Sequence, residues 1–383
     1  MQAMDVDLPY RITPIAELSG HDDRVWHVAW NPTKPLLATC SADKSVRLYS
    51  YTPSPTPIDD SLPASSGSST YAFDLHARLL TDHKKTVRSV AWSPSGTTLA
   101  TGSFDSTIGI WQRENEDNDG DGGEDGGGQG DGEAGWECMA SLEGHETECK
   151  SVGFSASGNL LASCSRDKTV WVWEVHPDAD FECMGVLMEH TQDVKSIAWH
   201  PREEILASAS YDDTIKLYLD DPEEDWFCFQ TLEGHTSTVW SLAWSPNGKY
   251  LASASDDCTV RIWKRVDEHK WECVSVLEGH DRTIYGVSWG VGSAIRSKEG
   301  EGERLGWLAS AGGDGRINVW DLEEPVDATP KSAPHHKLIA RIESAHGVDD
   351  VNTVVWCPRK GYESLLATAG DDGVAKVWKI QGL

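Results

Sequence analysis

The feature that most constrains this chain is a set of four residue types that occurs seven times at fixed offsets. Each set opens with a histidine, at His21, His83, His145, His190, His235, His280 and His346. An aspartate follows 22 residues later in the first five copies and 34 and 26 residues later in the last two, at Asp43, Asp105, Asp167, Asp212, Asp257, Asp314 and Asp372. Hydroxyl groups stand four positions before the aspartates, at Thr39, Thr101, Ser163, Ser208, Ser253, Ser310 and Thr368. Aromatic rings stand six positions after them, at Tyr49, Trp111, Trp173, Tyr218, Trp263, Trp320 and Trp378.

The repeat length indicates the fold. Histidines 145, 190, 235 and 280 lie 45 residues apart, and a Gly-His opening with an aromatic close resembles the WD40 repeat. Trp320-Asp321 is the one place where the dipeptide that names the family is kept. The resemblance implies an all-β, seven-bladed β-propeller with four-stranded blades.

The repeated set predicts a structural hydrogen-bond network. The histidine, hydroxyl, aspartate and indole can bond in a chain that ties adjacent strands together, which offsets a burial cost of about 1–3 kcal/mol for each unpaired polar group. His, Ser and Asp together also resemble a hydrolase triad. A catalytic set occurs once and exposes its nucleophile, whereas this set occurs seven times, so we expect a structural role and no enzyme activity.

The units give the domain organisation. A single propeller over residues 1–383 is expected, because repeat units bury their faces only against their neighbours. The units lie near residues 11–51, 71–113, 136–175, 181–219, 226–265, 271–322 and 337–380. A spare strand before the first Gly-His and a missing outer strand after the last unit predict that the ring closes by pairing the N-terminal strand with the last blade.

Four segments read as loops or inserts, at residues 53–70, 114–135, 290–306 and 323–336. Residues 114–135 combine nine acidic side chains with many glycines and no large apolar residue, so we expect disorder there. The same segment lacks the ligand register of a calcium-binding loop, and the His335-His336 pair has no neighbouring ligand at suitable spacing. No metal site and no cofactor is expected.

The net charge of −29 disfavours direct binding to nucleic acid or to an anionic membrane. No apolar run reaches the length of a membrane span, and the first 20 residues lack the pattern of a signal peptide. We therefore expect a cytoplasmic or nuclear protein.

Four of the nine cysteines share one position, seven residues before a repeat histidine, at Cys138, Cys183, Cys228 and Cys273. Equivalent positions in different blades point to different parts of the ring, so these thiols cannot converge on one metal or cluster. We expect reduced thiols that are buried as small apolar residues.

Strand alternation predicts a docking face. If the residue four after each repeat histidine is packed, the next one faces the central channel. Since the seventh unit has one extra residue, the residues at the channel mouth are Trp26, Arg88, Lys150, Lys195, Trp240, Tyr285 and Asn352. Arg166 and Tyr211, each just before a repeat aspartate, lie further out on the same face. Cations and aromatics together are typical of interface hot spots. The alternative is that these residues plug the channel and pair with Glu148, Asp193 or Asp350.

Five stretches of the sequence indicate which group of WD40 proteins the chain resembles. SCSRDKTVWVWEV (163–175), HTQDVKSIAWHP (190–201), LASASYDDTIKLY (206–218), LEGHTSTVWSLAW (232–244) and SASDDCTVRIW (253–263) resemble the WD40 proteins of cytosolic iron–sulfur cluster assembly. The resemblance implies a non-enzymatic scaffold of the cluster-targeting complex. Its implied partners are a small assembly factor, a HEAT-repeat subunit, an iron-only-hydrogenase-like cluster carrier and iron–sulfur apoproteins. The family's functionally important arginine, in a Ser-Arg-Asp-Lys motif, falls on Arg166.

The alternative function is that of a general WD40 adaptor, such as a chromatin or ubiquitin-ligase substrate-recognition subunit. A histone reader would favour an acidic channel mouth, whereas Arg88, Lys150 and Lys195 make this one basic.

Overall fold

The computed structural model describes residues 8–53, 71–113, 135–177, 180–221, 225–292 and 302–383. In these ranges the chain forms 28 β-strands and no helix. The strands make seven sheets of four antiparallel strands each, which is the predicted seven-bladed propeller. Within the same ranges no helix has the length and apolarity needed to cross a membrane.

Each blade is a meander that runs from the channel outward. Blade one contains β2 to β5, at Val25–Trp30, Leu36–Ser41, Ser45–Pro53 and Tyr71–Leu80. Blade two contains β6 to β9, at Val87–Trp92, Thr98–Ser103, Ile108–Arg113 and Trp136–Leu142. Blade three contains β10 to β13, at Cys149–Phe154, Leu160–Ser165, Val170–Val175 and Phe181–Leu187. Blade four contains β14 to β17, at Val194–Trp199, Leu206–Ser210, Ile215–Asp221 and Asp225–Leu232.

The remaining three blades complete the ring. Blade five contains β18 to β21, at Val239–Trp244, Tyr250–Ser255, Thr259–Asp267 and Lys270–Glu278. Blade six contains β22 to β25, at Ile284–Gly290, Arg304–Gly312, Ile317–Glu323 and His335–Ile342. Blade seven contains β26 to β28 and β1, at Val351–Trp356, Leu365–Gly370, Ala375–Gly382 and Tyr10–Leu18.

The ring closes through its two ends, as the sequence predicts. Strand β1 pairs with β28 from Tyr10 opposite Gly382 to Leu18 opposite Ala375. Every sequence unit therefore gives its first strand to the preceding blade, so the repeat and the blade are offset by one strand. Because the last blade is completed by the N-terminal strand, the ring is closed and has no free end to which another blade could be added.

The core lies between adjacent blades. The apolar side chains of neighbouring sheets form seven buried clusters that follow the ring. Indole N–H groups add direct bonds across four of these junctions by donating to a carbonyl of the preceding inner strand. They join Trp30 to Val355, Trp92 to Ala29, Trp199 to Gly153 and Trp244 to Ala198, at 2.9–3.1 Å. Much of the high tryptophan content thus serves the contacts between blades.

The prediction that the four equivalent cysteines are buried is wrong, although the prediction of their equivalent positions is confirmed. The four residues do occupy equivalent positions, since each lies opposite the repeat aromatic on the outer strand of its blade. Cys138, Cys183 and Cys273 are nevertheless exposed, and Cys228 is half-buried. The outer strand has no further strand beyond it, so side chains that point away from the neighbouring blade meet solvent.

Two of the predicted inserts are partly described. The insert of blade six separates β22 from β23, and the expected disorder of residues 114–135 falls almost wholly outside the described residues. The loop after β24 is held against blade five by the buried Lys264 ammonium, which donates to Glu324 at 2.9 Å and to the Thr329 carbonyl at 2.9 Å. Tyr250 donates to the same carboxylate at 3.0 Å.

Candidate docking surface around the channel mouth

The repeated residues form a rigid frame under one face of the ring. In all seven blades the histidine Nδ1 lies 2.8–3.3 Å from its aspartate and the Nε2 lies 2.7–2.9 Å from its hydroxyl. In four blades an indole N–H donates to that hydroxyl at 2.8–3.1 Å, at Trp111, Trp173, Trp263 and Trp378. In blade four Ser208 and the Tyr218 hydroxyl are 3.3 Å apart. The network fixes the turn that follows each second strand.

Two blades depart from this scheme. The Tyr49 hydroxyl donates to the Ser19 carbonyl instead of Thr39. The buried Trp320 indole N–H has no acceptor among the described residues. The complete four-member chain expected from the sequence therefore does not form in blades one and six.

The network has a fifth member that was not predicted from the sequence. Five units carry a Ser or Thr two positions after the aspartate, and its hydroxyl donates to the carboxylate at 2.5–2.7 Å. These residues are Ser45, Thr107, Thr169, Thr214 and Thr259. Burial raises the pKa of Asp167, but hydrogen bonds from His145 and Thr169 outweigh that effect and lower it to about 2. The carboxylates are thus fully charged acceptors at neutral pH.

The residue before each repeat aspartate is held in a fixed position by its backbone. Its backbone N–H donates to a carbonyl at the start of the inner strand in all seven blades, at 2.9–3.1 Å. The residue after the aspartate takes the left-handed conformation in all seven, and in blades six and seven it is a glycine, Gly315 and Gly373. Arg166 and Tyr211 therefore project from tight turns whose backbone is fixed on both sides.

The channel mouth is built by a β-bulge. In every inner strand the pairing register shifts at the residue that the sequence assigned to the mouth, for example between Val25 and His27. A bulged residue is left out of the ladder and its side chain is re-aimed, here toward the channel. The seven residues predicted from strand alternation do lie at the mouth, and the physical cause of their orientation is the bulge.

These bulged residues meet around a cavity of about 260 Å³. The lining consists of Arg24, Trp26, Arg88, Phe104, Lys150, Lys195, Trp240, Tyr285, Asp350, Asn352 and Asp371. We call this set the mouth, and the face of the ring that carries it the upper face. Arg24 was missed by the sequence argument, although it stands immediately before the packed residue of its strand, as do Glu148, Asp193 and Asp350.

Cations in the mouth are paired with aromatic rings. Lys150 Nζ lies 4.1 Å from the centre of the Phe104 ring, and the Arg88 guanidinium lies 4.7 Å from Trp26. Lys195 Nζ lies 5.0 Å from Trp240. Such contacts stabilise a partly desolvated cation by roughly 0.5–2 kcal/mol each. Burial lowers the pKa of Lys150 and of Arg88.

Carboxylates also pair with these cations, as the plug alternative requires. Lys150 Nζ lies 2.5 Å from Glu148, and Lys195 Nζ lies 3.4 Å from Asp193. Asn352 donates to Asp371 at 2.9 Å. The mouth is therefore a preformed surface whose side chains are bonded to one another and to the neighbouring carboxylates.

Arg166 and Tyr211 lie outside the mouth, on the rim above it. The Arg166 side chain is 58% exposed, and its guanidinium lies 3.5 Å from Glu148 and 3.9 Å from Asp193 in the next blade. Tyr211 is 55% exposed and its ring lies 5.1 Å from Lys195 Nζ. A fixed backbone with an exposed guanidinium and an exposed phenol is suited to contact another macromolecule.

One group of possible metal ligands occurs among the described residues, away from this face. Glu174, His176 and Glu182, at the edge of blade three, bring their ligand atoms within 4.8 Å of one another. All three are at least partly exposed, and exposed acidic groups often lie this close without a metal.

Comparisons with known proteins agree with the fold and narrow the family. The chain matches the family described as WD domain, G-beta repeat, over residues 12–50, 76–112, 136–174, 181–218, 226–264, 271–321 and 337–379. A protein of Cryptococcus neoformans var. neoformans serotype D named probable cytosolic iron-sulfur protein assembly protein 1 is 44% identical over 97% of this chain and 99% of its own length. Proteins of the same name from Mycosarcoma maydis and Malassezia globosa are 49% and 55% identical over 43% and 28% of this chain, and over 38% and 29% of their own lengths.

These likenesses extend over the repeats and the connections between them. The chain belongs to the WD40 repeat proteins and, among them, to the family of cytosolic iron-sulfur protein assembly protein 1.

Proposed function

We propose that this chain is a non-enzymatic docking subunit of cytosolic iron–sulfur cluster assembly, and that its upper face holds assembly factors and apoprotein clients while clusters are inserted. The observation that carries this proposal is the 44% identity over nearly the whole length to a protein named for that process. The upper face supplies a surface suited to the task, with Arg166 and Tyr211 exposed above a preformed mouth.

A non-enzymatic role is supported by what the repeated residues do. The hydroxyls that resemble a nucleophile are fully buried, and four of them, such as Ser163, accept a hydrogen bond from an indole. Reactive hydroxyls must reach a substrate, and the same arrangement recurs around the ring. We infer that catalysis belongs to other components of the pathway.

The partners proposed are those that the resemblance implies: a small assembly factor, a HEAT-repeat subunit, an iron-only-hydrogenase-like cluster carrier and iron–sulfur apoproteins. The exposed guanidinium of Arg166 suits a carboxylate on such a partner, because a planar fork can bind both oxygens at once. The iron–sulfur cluster is cargo in this scheme, and the place of action is the cytosol.

Complementation tests the proposal. In cells depleted of the endogenous chain, incorporation of radioactive iron into a cytosolic iron–sulfur apoprotein should fall and should be restored by the wild-type chain. Arg166→Glu should restore it less than a third as well at equal protein level. Lys360→Glu is the matched control, because Lys360 is exposed on the loop between β26 and β27 at the opposite face.

Two results would contradict the proposal. Normal iron incorporation without the chain would remove the role in assembly. Full rescue by Arg166→Glu would leave that role standing and would remove the upper rim as the docking site.

A further inference from the structure

One position in the repeat is filled by a long or bulky side chain in six blades and by glycine in the seventh. It lies four residues after the repeat aspartate. The filled positions are Arg47, Trp171, Lys216, Arg261, Asn318 and Lys376. Blade two has Gly109 instead.

The six side chains contact the histidine side of the frame or the outer strand of their blade, as Lys216 does by donating to the Thr231 hydroxyl at 3.0 Å. Arg47, Asn318 and Lys376 donate to the backbone carbonyl of the residue just before the repeat histidine of their own blade. Trp171 packs on His145 with ring centres 5.4 Å apart. In blade five, Arg261 Nη1 lies 3.7 Å from the Cys273 thiol on the outer strand.

The same place in blade two is a cavity of about 490 Å³. Gly109, Trp111 and Cys138 line it, and Cys138 is the blade-two equivalent of the Cys273 that contacts Arg261. The cavity reaches the frame, because the buried His83 and its partner Asp105 are among its lining residues.

A second substitution accompanies the missing side chain. The residue before the histidine is glycine in blades one and five, where a Cβ would lie 2.6 Å from Arg47 and 3.1 Å from Arg261. Blade two has Asp82 at that position, and its carboxylate lines the cavity together with that of Asp105. Asp82 also raises the pKa of the Cys138 thiol, after the larger effect of burial. Compared with blade five, blade two therefore lacks the Arg261 cation and carries an additional carboxylate at this place. The exposed Lys84 also lines the cavity, next to His83.

We propose that this cavity, which we call the blade-two socket, binds an arginine side chain of a protein partner in the place that Arg261 occupies in blade five. The incoming guanidinium pairs with the Asp82 carboxylate and lies beside the Trp111 indole and the Cys138 thiol. A charge-assisted, planar contact of this kind favours arginine over lysine.

The chain itself does not supply the occupant from the adjoining insert. Residues 114–134 join β8 to β9 of this blade and contain no lysine or arginine. They carry nine carboxylates tethered to the same blade, which increases the local attraction for a basic partner segment. Charge complementarity therefore favours a basic peptide as the occupant.

The test uses three small probes that differ in the side-chain head: acetyl-arginine amide, acetyl-lysine amide and the neutral acetyl-citrulline amide. Binding to the full chain is followed at physiological salt by the NMR resonance of the Trp111 indole N–H, because salt screens the general attraction of an acidic protein for cations. The arginine probe should shift this resonance saturably and should leave that of Trp263 unchanged. Citrulline should bind at least tenfold more weakly.

Variants locate the site. Asp82→Asn should weaken arginine binding at least tenfold, while Glu189→Gln, at the equivalent position of blade four where Lys216 fills the space, should not change it. The double change Asp82→Gly with Gly109→Arg introduces the blade-five residues and should abolish binding. A Cβ at Gly109 would lie 2.8 Å from Thr101 Oγ1 and 2.8 Å from Trp111 Nε1, so these side chains must shift to admit the arginine. If that double variant fails to fold, Asp82→Asn decides alone.

The proposal is overturned if no saturable shift occurs, if arginine and citrulline bind equally, or if Asp82→Asn binds as well as the wild type. None of these outcomes bears on the rescue by Arg166→Glu, so the socket and the proposed function can fail separately.

Discussion

Lys150, which forms part of the wall of the mouth, has its Nζ 2.5 Å from Glu148 Oε2. Glu148 is shared with Arg166, but the two cations differ in exposure, at 14% for Lys150 and 58% for Arg166. We propose that the two alternatives left open by the sequence, a plug and a docking surface, apply to different residues. Lys150 belongs to the internal plug, and Arg166 belongs to the rim.

Charge reversal at the two positions should therefore have different effects. Lys150→Glu places a second carboxylate against Glu148 in a partly dry site and should lower the free energy of unfolding by about 2–4 kcal/mol. Arg166→Glu should lower it by less than about 1 kcal/mol, because its pairs are long and solvated. Urea denaturation of both variants gives the comparison. Equal losses would show that Arg166 is an internal brace, and the docking assignment would then fail.

The frame predicts a sharp contrast between two adjacent aspartates in blade five. Asp257 accepts hydrogen bonds from His235 at 2.8 Å and from the Thr259 hydroxyl at 2.6 Å. The neighbouring Asp256 is exposed and accepts hydrogen bonds from the hydroxyls of Ser237, at 3.0 Å, and Thr283. Asp257→Ala leaves buried donors without partners and should cost about 3–5 kcal/mol of stability. Asp256→Ala should cost under about 1 kcal/mol. The midpoint of urea denaturation measures both, and a small loss at Asp257 would show that the network is dispensable.

The incomplete network of blade six predicts a contrast between two tryptophans. Trp263 donates to Ser253 at 2.9 Å, while the equivalent Trp320 has no acceptor among the described residues. Changing either to phenylalanine removes one ring and the N–H, but only Trp263→Phe breaks a hydrogen bond. Trp263→Phe should therefore be less stable than Trp320→Phe by about 1 kcal/mol. Equal losses in thermal unfolding would mean that the indole bond contributes nothing.

Much of the fold was predictable because it depends on periodicity. The positions of His145, Ser163 and Asp167 recur at fixed offsets, and strand alternation then follows from the packed residue Cys149. Repetition averages out the ambiguity of any one unit, so the blade number and the ring closure could be predicted from the residues and the resemblance.

The features that the sequence did not predict occur where one repeat unit differs from the others, or where two residues that are far apart in the sequence are in contact. The socket depends on Gly109 and Asp82 facing one another across 27 residues, and neither residue is informative alone. Lys264 reaches Glu324 across 60 residues through a loop with no repeat counterpart. The exposure of Cys138 depends on the absence of a strand beyond β9, which only the assembled sheet shows.

Acid should destabilise the protein in two steps, the first of which comes from His27. Its Nδ1 lies 3.1 Å from the Val90 carbonyl at the wall of the channel. Burial, with a smaller effect of Arg88, lowers the pKa of His27 to about 4 from the ordinary 6.5. The folded state thus binds fewer protons than the unfolded state in this range. The contribution is complete above about pH 6.5 and decreases as the pH falls toward 4, by at most about 3 kcal/mol.

The second step comes from the repeat aspartates. The pKa of Asp167, about 2, lies below its ordinary 3.8, so its stabilising contribution is complete above about pH 4 and is lost between pH 4 and 2. His27→Gln should reduce the slope of the free energy of unfolding between pH 6.5 and 4 and leave the lower step in place. A smaller slope should remain, because burial also lowers the pKa of His200 and of His76. His335→Gln, an exposed control in β25, should keep both steps. Urea denaturation at half-unit pH intervals measures the profile, and an unchanged slope above pH 4 in His27→Gln would assign the first step to another group.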